Sequence, residues 1–223
     1  MPERRKLNLK ARADRQAQTR QRIIEAAVTL HTTVGPAHTT ISAIAEGAGV
    51  QRQTVYTHFP DERSLFSACA AHVRATYPPP DAAAWRAIAD PVTRLRTALD
   101  ELYSYFRRTT GAWSAILRDA EVNPLVREMA ATRRLGYLDE ARDALVAGWK
   151  LSVARRRQVA AAAGLAVDYR TWETLTARQG LDDLQAAHLM ANAVIELAET
   201  NRGDETKAAR RLNARVKSER PAR

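Results

Sequence analysis

Apolar residues recur along most of the chain at intervals of three and four positions, the spacing of a helix that buries one face. In the first long segment, residues 16–33, the stripe runs through Ile23, Ala27 and Leu30 to Val34. Ala, Leu, Arg and Glu dominate such segments, and alternating Val, Ile, Thr and Tyr positions are missing. The pattern therefore predicts an all-α protein without a β-sheet.

Two short helices separated by a glycine are predicted next. Thr40 is placed to cap a helix over residues 41–48, and Gly49 interrupts the apolar pattern. A third helix is expected over residues 51–58, because Pro60 prevents its continuation. A helix, a short turn containing glycine and a second short helix form the helix-turn-helix arrangement.

A proline run predicts a domain boundary behind the fourth helix. Asp61 is placed to cap a helix over residues 62–76, and Pro78-Pro79-Pro80 then indicates a boundary around residues 76–82. Beyond it the pattern predicts longer helices, over about residues 90–108, 111–120, 124–149, 152–178 and 182–200.

The sequence predicts four parts. The first and the last lie in basic segments that lack apolar periodicity. Residues 1–22 and 201–223 each contain eight Lys and Arg, against few acidic residues. Such segments are typical of solvated arms without fixed structure. The parts are a basic flexible arm (1–15), a helix-turn-helix domain (16–76), a second helical domain (77–200) and a basic, disordered tail (201–223).

Composition favours an anionic partner, although solubility alone accounts for part of the excess positive charge. The net charge of +10 indicates nucleic acid or a membrane surface. The lone Cys69 excludes an intramolecular disulfide framework and a multi-cysteine zinc site, and it indicates a reducing compartment. The chain has no apolar run near 18 residues. We therefore expect a cytoplasmic location and no membrane span. No catalytic histidine spacing or glycine-rich phosphate loop occurs, so neither enzymatic activity, a metal nor a cofactor is expected.

The third predicted helix has a polar face suited to the major groove. Val55 and Phe59 point to one side, and Gln53 and Thr57 point nearly opposite. Arg pairs with guanine, Gln with adenine, and a Thr methyl packs on thymine. We expect base contacts from Arg52, Gln53 and Thr57, and phosphate contacts from Thr40, Thr54, Tyr56 and His58, with His58 able to make either. An ordinary solvated helix face is the alternative.

Residues 19–66, TRQRIIEAAVTLHTTVGPAHTTISAIAEGAGVQRQTVYTHFPDERSLF, carry a series of motifs in a fixed order. The segment resembles the N-terminal domain of the TetR (tetracycline-repressor-like) transcriptional regulators. The matching features are Ile-Ile-x-Ala-Ala in the first helix, Thr40 before Ile41, Ile44-Ala45, Ala48-Gly49-Val50, Thr54-Val55-Tyr56, His58-Phe59 and Leu65-Phe66.

Four positions depart from the pattern of this family. Gln51 stands where a capping Ser is frequent, and Gln53 replaces a frequent Gly or Pro with a side chain long enough to reach a base. Glu62 and Arg63 stand where a Lys often starts the fourth helix. We therefore expect Arg63 to replace that Lys as a phosphate contact.

The resemblance implies a homodimeric repressor that binds double-stranded DNA at a palindromic operator. A dimer is also expected physically, because two recognition helices about 34 to 36 Å apart enter successive major grooves. We expect the last two helices to form the dimer interface, and the alternative for their apolar stripe is the core of a single chain. The stripe consists of Leu184, Ala187, Ala191, Val194 and Ala198.

The resemblance also implies a small-molecule effector bound inside the C-terminal helices. Bulky groups concentrate there, and helical bundles with a few polar tips commonly bind small molecules. Plain core packing remains the alternative for each residue. The candidates are Leu102, Tyr103, Phe106, Trp113, Ile116, Leu117, Met129, Arg133, Tyr137 and Trp172. Their aromatic character favours an apolar or planar ligand, and Arg133 is a candidate anchor for an anionic group.

A basic helical module that binds anionic membranes or RNA is the competing hypothesis. The two charged ends of the chain favour it. However, Arg and Lys are few in residues 51–58, where the helix-turn-helix motif lies. The sequence therefore favours duplex DNA, but it names neither the operator nor the effector.

Overall fold

The structure, a computed structural model, describes residues 2–199, with side chains described for residues 9–132 and 136–199. No β-strand occurs within residues 2–199, and the predicted all-α fold is confirmed. The helices are α1 (Pro2–Thr33), α2 (Ile41–Ala48), α3 (Arg52–His58), α4 (Glu62–Thr76), α5 (Ala82–Ala87), α6 (Pro91–Asp119), α7 (Pro124–Val146), α8 (Val153–Ala166), α9 (Tyr169–Glu173) and α10 (183–199).

The described chain divides into two compact units. The first combines the chain up to Pro79 with Arg108–Arg133, and the second combines Pro80–Arg107 with the chain from Arg134 onward. The first of the two segments in the first unit ends at Pro79, within the range 76–82 in which the sequence prediction placed a boundary. However, Arg108–Arg133, which the sequence prediction placed in the C-terminal domain, groups with the N-terminal helices.

The core of the first unit forms where α1, α2, α3 and α4 bury their apolar sides together. Ile23 on α1 and Val55 on α3 are fully buried, and Ile44 on α2 is 1% exposed. Phe59 closes the end of α3, while Leu65 and Cys69 supply the face of α4. Because each helix is too short or too polar to be stable alone, this shared core holds the helix-turn-helix in place.

A buried carboxylate joins the end of α6 to the connection between α1 and α2. Asp119 is 1% exposed and accepts hydrogen bonds from the Ala37 backbone N–H and the Arg118 guanidinium, each at 2.8 Å. Arg118 also donates to the Val34 carbonyl at 3.1 Å. Gly35 has a φ of 96°, and a Cβ there would overlap both Arg118 and Asp119. The connection therefore depends on a glycine and on two charged side chains.

An aromatic cluster fills the second unit. Phe106 packs edge-on against Tyr169, with ring centroids 5.4 Å apart, and Tyr169 lies 5.2 Å from Trp172. Burial raises the pKa of Tyr103, whose hydroxyl donates to the Ala166 carbonyl at 2.9 Å. Arg94 donates to the carbonyls of Ile88, Ala144 and Ala147 and so satisfies the end of α7.

Two helices, α1 and α6, are longer than the sequence predicts. The first helix begins at Pro2 rather than near residue 16, and the helices expected over 90–108 and 111–120 form the single helix α6. Residues 1–15 were expected to be a flexible arm because they lack an apolar stripe. However, Ala, Arg, Lys, Leu and Gln favour a helix by themselves. Gly111 likewise did not end the helix, because an isolated glycine is tolerated inside one.

Two further differences lie in the second unit. The stretch between the proline run and Pro91 contains α5, which Asp81 caps and Trp85 anchors with 1% exposure. The helix expected over 152–178 breaks after Ala166, because the Asp168 carboxylate accepts from the Arg170 N–H and starts α9. Among the described residues, no helix is both long enough and apolar enough to cross a membrane.

Candidate DNA-binding surface

Local signals fix the geometry of α2 and the turn behind it. The Thr40 hydroxyl oxygen accepts the Ala43 N–H at 3.2 Å, as an N-cap does. Gly49 adopts a φ of 64° at the end of α2, and the N–H of Val50 donates to the Ala45 carbonyl at 2.9 Å. A residue with a Cβ rarely adopts this left-handed conformation, so the glycine sets the direction in which α3 begins.

The recognition helix α3 is held by two apolar side chains. Val55 is fully buried and Phe59, directly after the helix, is 3% exposed. The Arg20 guanidinium of α1 lies over the Phe59 ring at 4.8 Å from its centroid. These contacts keep the outward face of α3 in a single orientation.

Four predicted DNA-contacting residues on α3 are exposed, as a protein–DNA interface requires. Arg52, Gln53 and Thr57 are exposed, and Tyr56 is 43% exposed. The Thr57 hydroxyl donates to the Gln53 carbonyl at 2.9 Å, so its methyl group is the part best suited to a base. The outward side of α3 therefore offers two hydrogen-bonding side chains, one methyl group and one phenol.

The remaining predicted DNA contacts on α2 and α3 differ in solvent exposure. Thr54 and His58 are half-buried on the flanks of α3, whereas Thr40 is exposed at the start of α2. Because the Thr40 oxygen already accepts the Ala43 N–H, its hydroxyl proton is available to a phosphate oxygen. Gln51 makes no side-chain cap for α3, which agrees with its departure from the family pattern.

Arg63, the predicted phosphate contact at the start of α4, is paired with a carboxylate in this structure. Its Nη1 and Nη2 atoms donate to Oε1 and Oε2 of Glu128 on α7, both at 2.8 Å. The Glu128 carboxylate raises the pKa of Arg63, and Arg63 lowers the pKa of Glu128. No sequence signal connects two residues that lie 65 positions apart.

The candidate ligand-binding residues fall into both units. Leu102, Tyr103, Phe106 and Trp172 are buried in the second unit, where the aromatic rings pack against one another. Tyr137, also in that unit, donates its hydroxyl to the Pro80 carbonyl at 2.9 Å. These five side chains serve the packing of their own unit, which was the alternative that the sequence left open. The side chain of Arg133 lies outside the described residues.

The other candidates belong to the first unit. Trp113 is half-buried and Leu117 is buried on α6. Ile116 lines a cavity of about 60 Å³ together with His31 and Phe66, a volume far below that of a drug-sized ligand site. Met129 lines an open groove between α4 and α7. A ligand-binding role for these residues remains a prediction.

The predicted dimer stripe is wrong for four of its five residues. Ala187, Ala191, Val194 and Ala198 have between 0% and 2% exposure within a single chain. Their spacing reflects burial in the core of the second unit, the alternative stated for them. Leu184 alone is exposed, at 55%.

A helix-turn-helix whose second helix is anchored by buried residues and presents polar side chains outward defines a DNA-binding protein. Residues 23–69 match the sequence model of the family described as bacterial regulatory proteins, tetR family. The chain therefore contains a segment that matches the N-terminal helix-turn-helix domain of this family of bacterial regulatory proteins. The match covers the helices that carry every exposed candidate for DNA contact.

Solved structures of similar fold cover most of the chain. A tetR-family transcriptional regulator from Streptomyces coelicolor is 20% identical, with a TM-score of 0.57, and the match covers 91% of this chain and 92% of that one. NalD, the secondary repressor of the MexAB-OprM multidrug efflux pump in Pseudomonas aeruginosa, is 20% identical with a TM-score of 0.57, over 82% and 96% of the two chains.

A third similar structure contains a ligand. It is a transcriptional regulator from Saccharomonospora viridis in complex with choline, 20% identical with a TM-score of 0.53, over 83% of this chain and 97% of that one. A comparison with curated protein sequences gives no significant match. At these identities the solved structures establish the shared fold, and the similarity to the tetR family at the sequence level is confined to residues 23–69.

Proposed function

We propose that this regulator is a repressor that binds a palindromic operator as a homodimer and is released by a small-molecule effector. The outward face of α3 carries the proposal, because Arg52, Gln53 and Thr57 are exposed beside one another while Val55 is fully buried. Arg52 suits guanine, Gln53 suits adenine, and the Thr57 methyl suits thymine. Thr40 and Tyr56 supply phosphate contacts that fix the register.

A second copy is required by the number of contacts. One seven-residue helix reaches only a few base pairs, which is too little for specific binding. Two copies related by a two-fold axis place their α3 helices about 34 to 36 Å apart, in successive major grooves. A palindromic operator follows from that symmetry.

The exposed faces of α8 and α10 are the proposed dimer surface, in place of the buried stripe. Leu165 on α8 is 62% exposed, and Leu184 and Leu189 on α10 are 55% and 49% exposed. The Arg155 guanidinium of α8 donates to the Leu197 carbonyl of α10 at 3.2 Å, so the two helices are in contact. Large exposed leucines on adjacent helices are typical of a surface that another chain covers.

The effector is proposed to act by shifting the equilibrium between two conformations of the protein. A ligand that binds better to a state with mis-spaced recognition helices lowers DNA affinity by its difference in affinity for the two states. The choline bound to the Saccharomonospora viridis structure supports a small-molecule effector for this fold. We keep an apolar or planar ligand as the expected class, acting in the cytoplasm, with α4 transmitting the change.

Selection of bound fragments from a random DNA pool tests this function. The purified protein is expected to enrich a palindromic sequence whose half-sites lie about one helical turn apart, and compounds are then screened for release of that sequence. Equal binding to random duplexes, RNA and anionic lipid vesicles would contradict the proposal and favour the basic-module hypothesis.

A further inference from the structure

Arg63, the basic residue in the first turn of α4, forms an ion pair with Glu128. Arg63 is the second residue of that helix and follows the recognition helix by five positions. Both donor nitrogens of its fork meet the two carboxylate oxygens of Glu128 at 2.8 Å. A guanidinium that is held by two parallel hydrogen bonds has a defined direction, so it is not simply a mobile surface charge.

The pair is nevertheless open to exchange. The Arg63 and Glu128 side chains are 54% and 58% exposed, so water and salt screen their attraction. A DNA phosphate offers the same fork of acceptor oxygens that a carboxylate does. Because the two acceptors are chemically similar, the guanidinium can leave one for the other with little net change in its own hydrogen bonding.

Neighbouring acidic groups make this exchange matter for DNA binding. Asp61 caps α4 by accepting the Ser64 N–H at 2.7 Å, and Glu62 is exposed beside it. These carboxylates repel a phosphate at the start of the helix. The positive charge of Arg63 offsets this repulsion. While Arg63 is paired with Glu128, its charge is neutralised by that carboxylate and attracts a phosphate less.

We propose that Glu128 competes with DNA phosphate for Arg63, so that α7 holds back a phosphate contact of the free protein. In the DNA complex, Arg63 leaves Glu128 and donates to a phosphate oxygen of the operator backbone. The inference rests on the proposed function in one respect, namely that α3 and the start of α4 face the same duplex. Any change that moves Glu128 away from Arg63 or towards it then adjusts DNA affinity without touching a base-reading residue.

A double-mutant cycle on the full-length protein tests the competition. Glu128→Gln removes the competing charge and keeps the side chain's size, and it is expected to tighten operator binding about two- to fivefold at low salt. The plot of log affinity against log salt is expected to become steeper by less than about 0.9, because in the wild type salt also weakens the competing pair of Arg63 and Glu128 and so offsets part of the loss. Arg63→Ala is expected to weaken binding, and in that background Glu128→Gln is expected to have no effect.

Matched variants separate the competition from a general effect of charge. Glu46→Gln, an exposed change on α2, and Arg74→Ala, an exposed change on α4, are expected to leave the coupling between positions 63 and 128 unchanged. A gain from Glu128→Gln that persists in Arg63→Ala would show mere removal of negative charge and overturn the proposal. An unchanged affinity in Glu128→Gln would overturn it as well.

A conservative variant covers any loss of folding in Arg63→Ala. Arg63→Lys keeps the charge but loses the two-pronged pairing with both Glu128 and phosphate, and it is expected to bind the operator more tightly than Arg63→Ala. Binding by Arg63→Lys as weak as that of Arg63→Ala, with an unaltered melting temperature, would contradict a phosphate contact by the side chain at position 63. If the wild-type protein selects no operator at all, the proposed function fails first, and the cycle then has no site on which to be measured.

Discussion

Individual side chains on α3 have different roles, because helix positions two apart point to nearly opposite sides. Val55 is fully buried, and its neighbours Gln53 and Thr57 are exposed. A change at Val55 therefore acts through stability, whereas a change at Gln53 acts through recognition. The two effects are separable by measuring unfolding and DNA binding on the same variants.

Gln53→Ala is predicted to relax the preference for one base pair in each half-site. The amide pairs with two groups on an adenine, and its loss costs discrimination of about 1–3 kcal/mol at that position only. Binding to a set of operators substituted one base pair at a time measures this. Gln179→Ala, an exposed glutamine outside α3, is the control. Uniform weakening across all operators would contradict base reading by Gln53.

His31 is predicted to make stability depend on pH. Burial lowers its pKa from 6.5 to about 4, against the opposing charge of Asp119, and its ring stacks on Phe66 with 4.8 Å between centroids. The unfolded chain therefore binds a proton between pH 6.5 and 4 that the folded protein does not. Stability is fully present above pH 6.5 and falls by up to about 3 kcal/mol as the pH approaches 4.

Urea unfolding at several pH values checks this dependence. His31→Phe keeps the stacked ring and removes the proton site, so its free energy of unfolding is expected to fall less than that of the wild type over this interval. His188→Gln, at an exposed position of α10, is the control and is expected to follow the wild type. Parallel curves for His31→Phe and the wild type would show that His31 is not the group responsible.

Among the helices, α2 is the one whose start combines folding with DNA contact. Its Thr40 cap satisfies the Ala43 N–H, and the same hydroxyl is proposed to donate to a phosphate. Thr40→Ala is predicted to lower the free energy of unfolding by about 0.5–2 kcal/mol and to weaken operator binding. Thr40→Ser keeps both functions of the hydroxyl and is expected to restore most of each. A Thr40→Ser variant as weak as Thr40→Ala would refute both roles of the hydroxyl.

For the whole molecule, the proposed dimer makes DNA affinity depend on a surface far along the sequence from α3. Leu184→Asp is predicted to give a monomer in light scattering and to abolish specific binding to the full palindrome, because a charge on a covered apolar surface is strongly unfavourable. Val122→Asp, at a residue that is 73% exposed outside α8 and α10, is expected to remain a dimer. An intact dimer of Leu184→Asp with unchanged affinity would place the interface elsewhere.

The sequence alone determined the elements whose limits depend on neighbouring residues. Thr40, Gly49, Pro60 and Asp61 are local signals, and they predicted α2, α3 and α4 to within a residue. The outward row of α3 followed from the same helical periodicity. Caps, left-handed glycines and prolines act over three or four residues, so a linear sequence contains all the information they need.

Only the tertiary structure decided which surface covers each apolar stripe and which charges meet. The spacing of Ala187, Ala191 and Val194 shows that one side of α10 is buried, and the same spacing suits a chain's own core and a dimer interface equally. Asp119 with Ala37, and Arg63 with Glu128, are 82 and 65 positions apart. Such contacts depend on how the helices pack in three dimensions, and no periodicity along the chain encodes that arrangement.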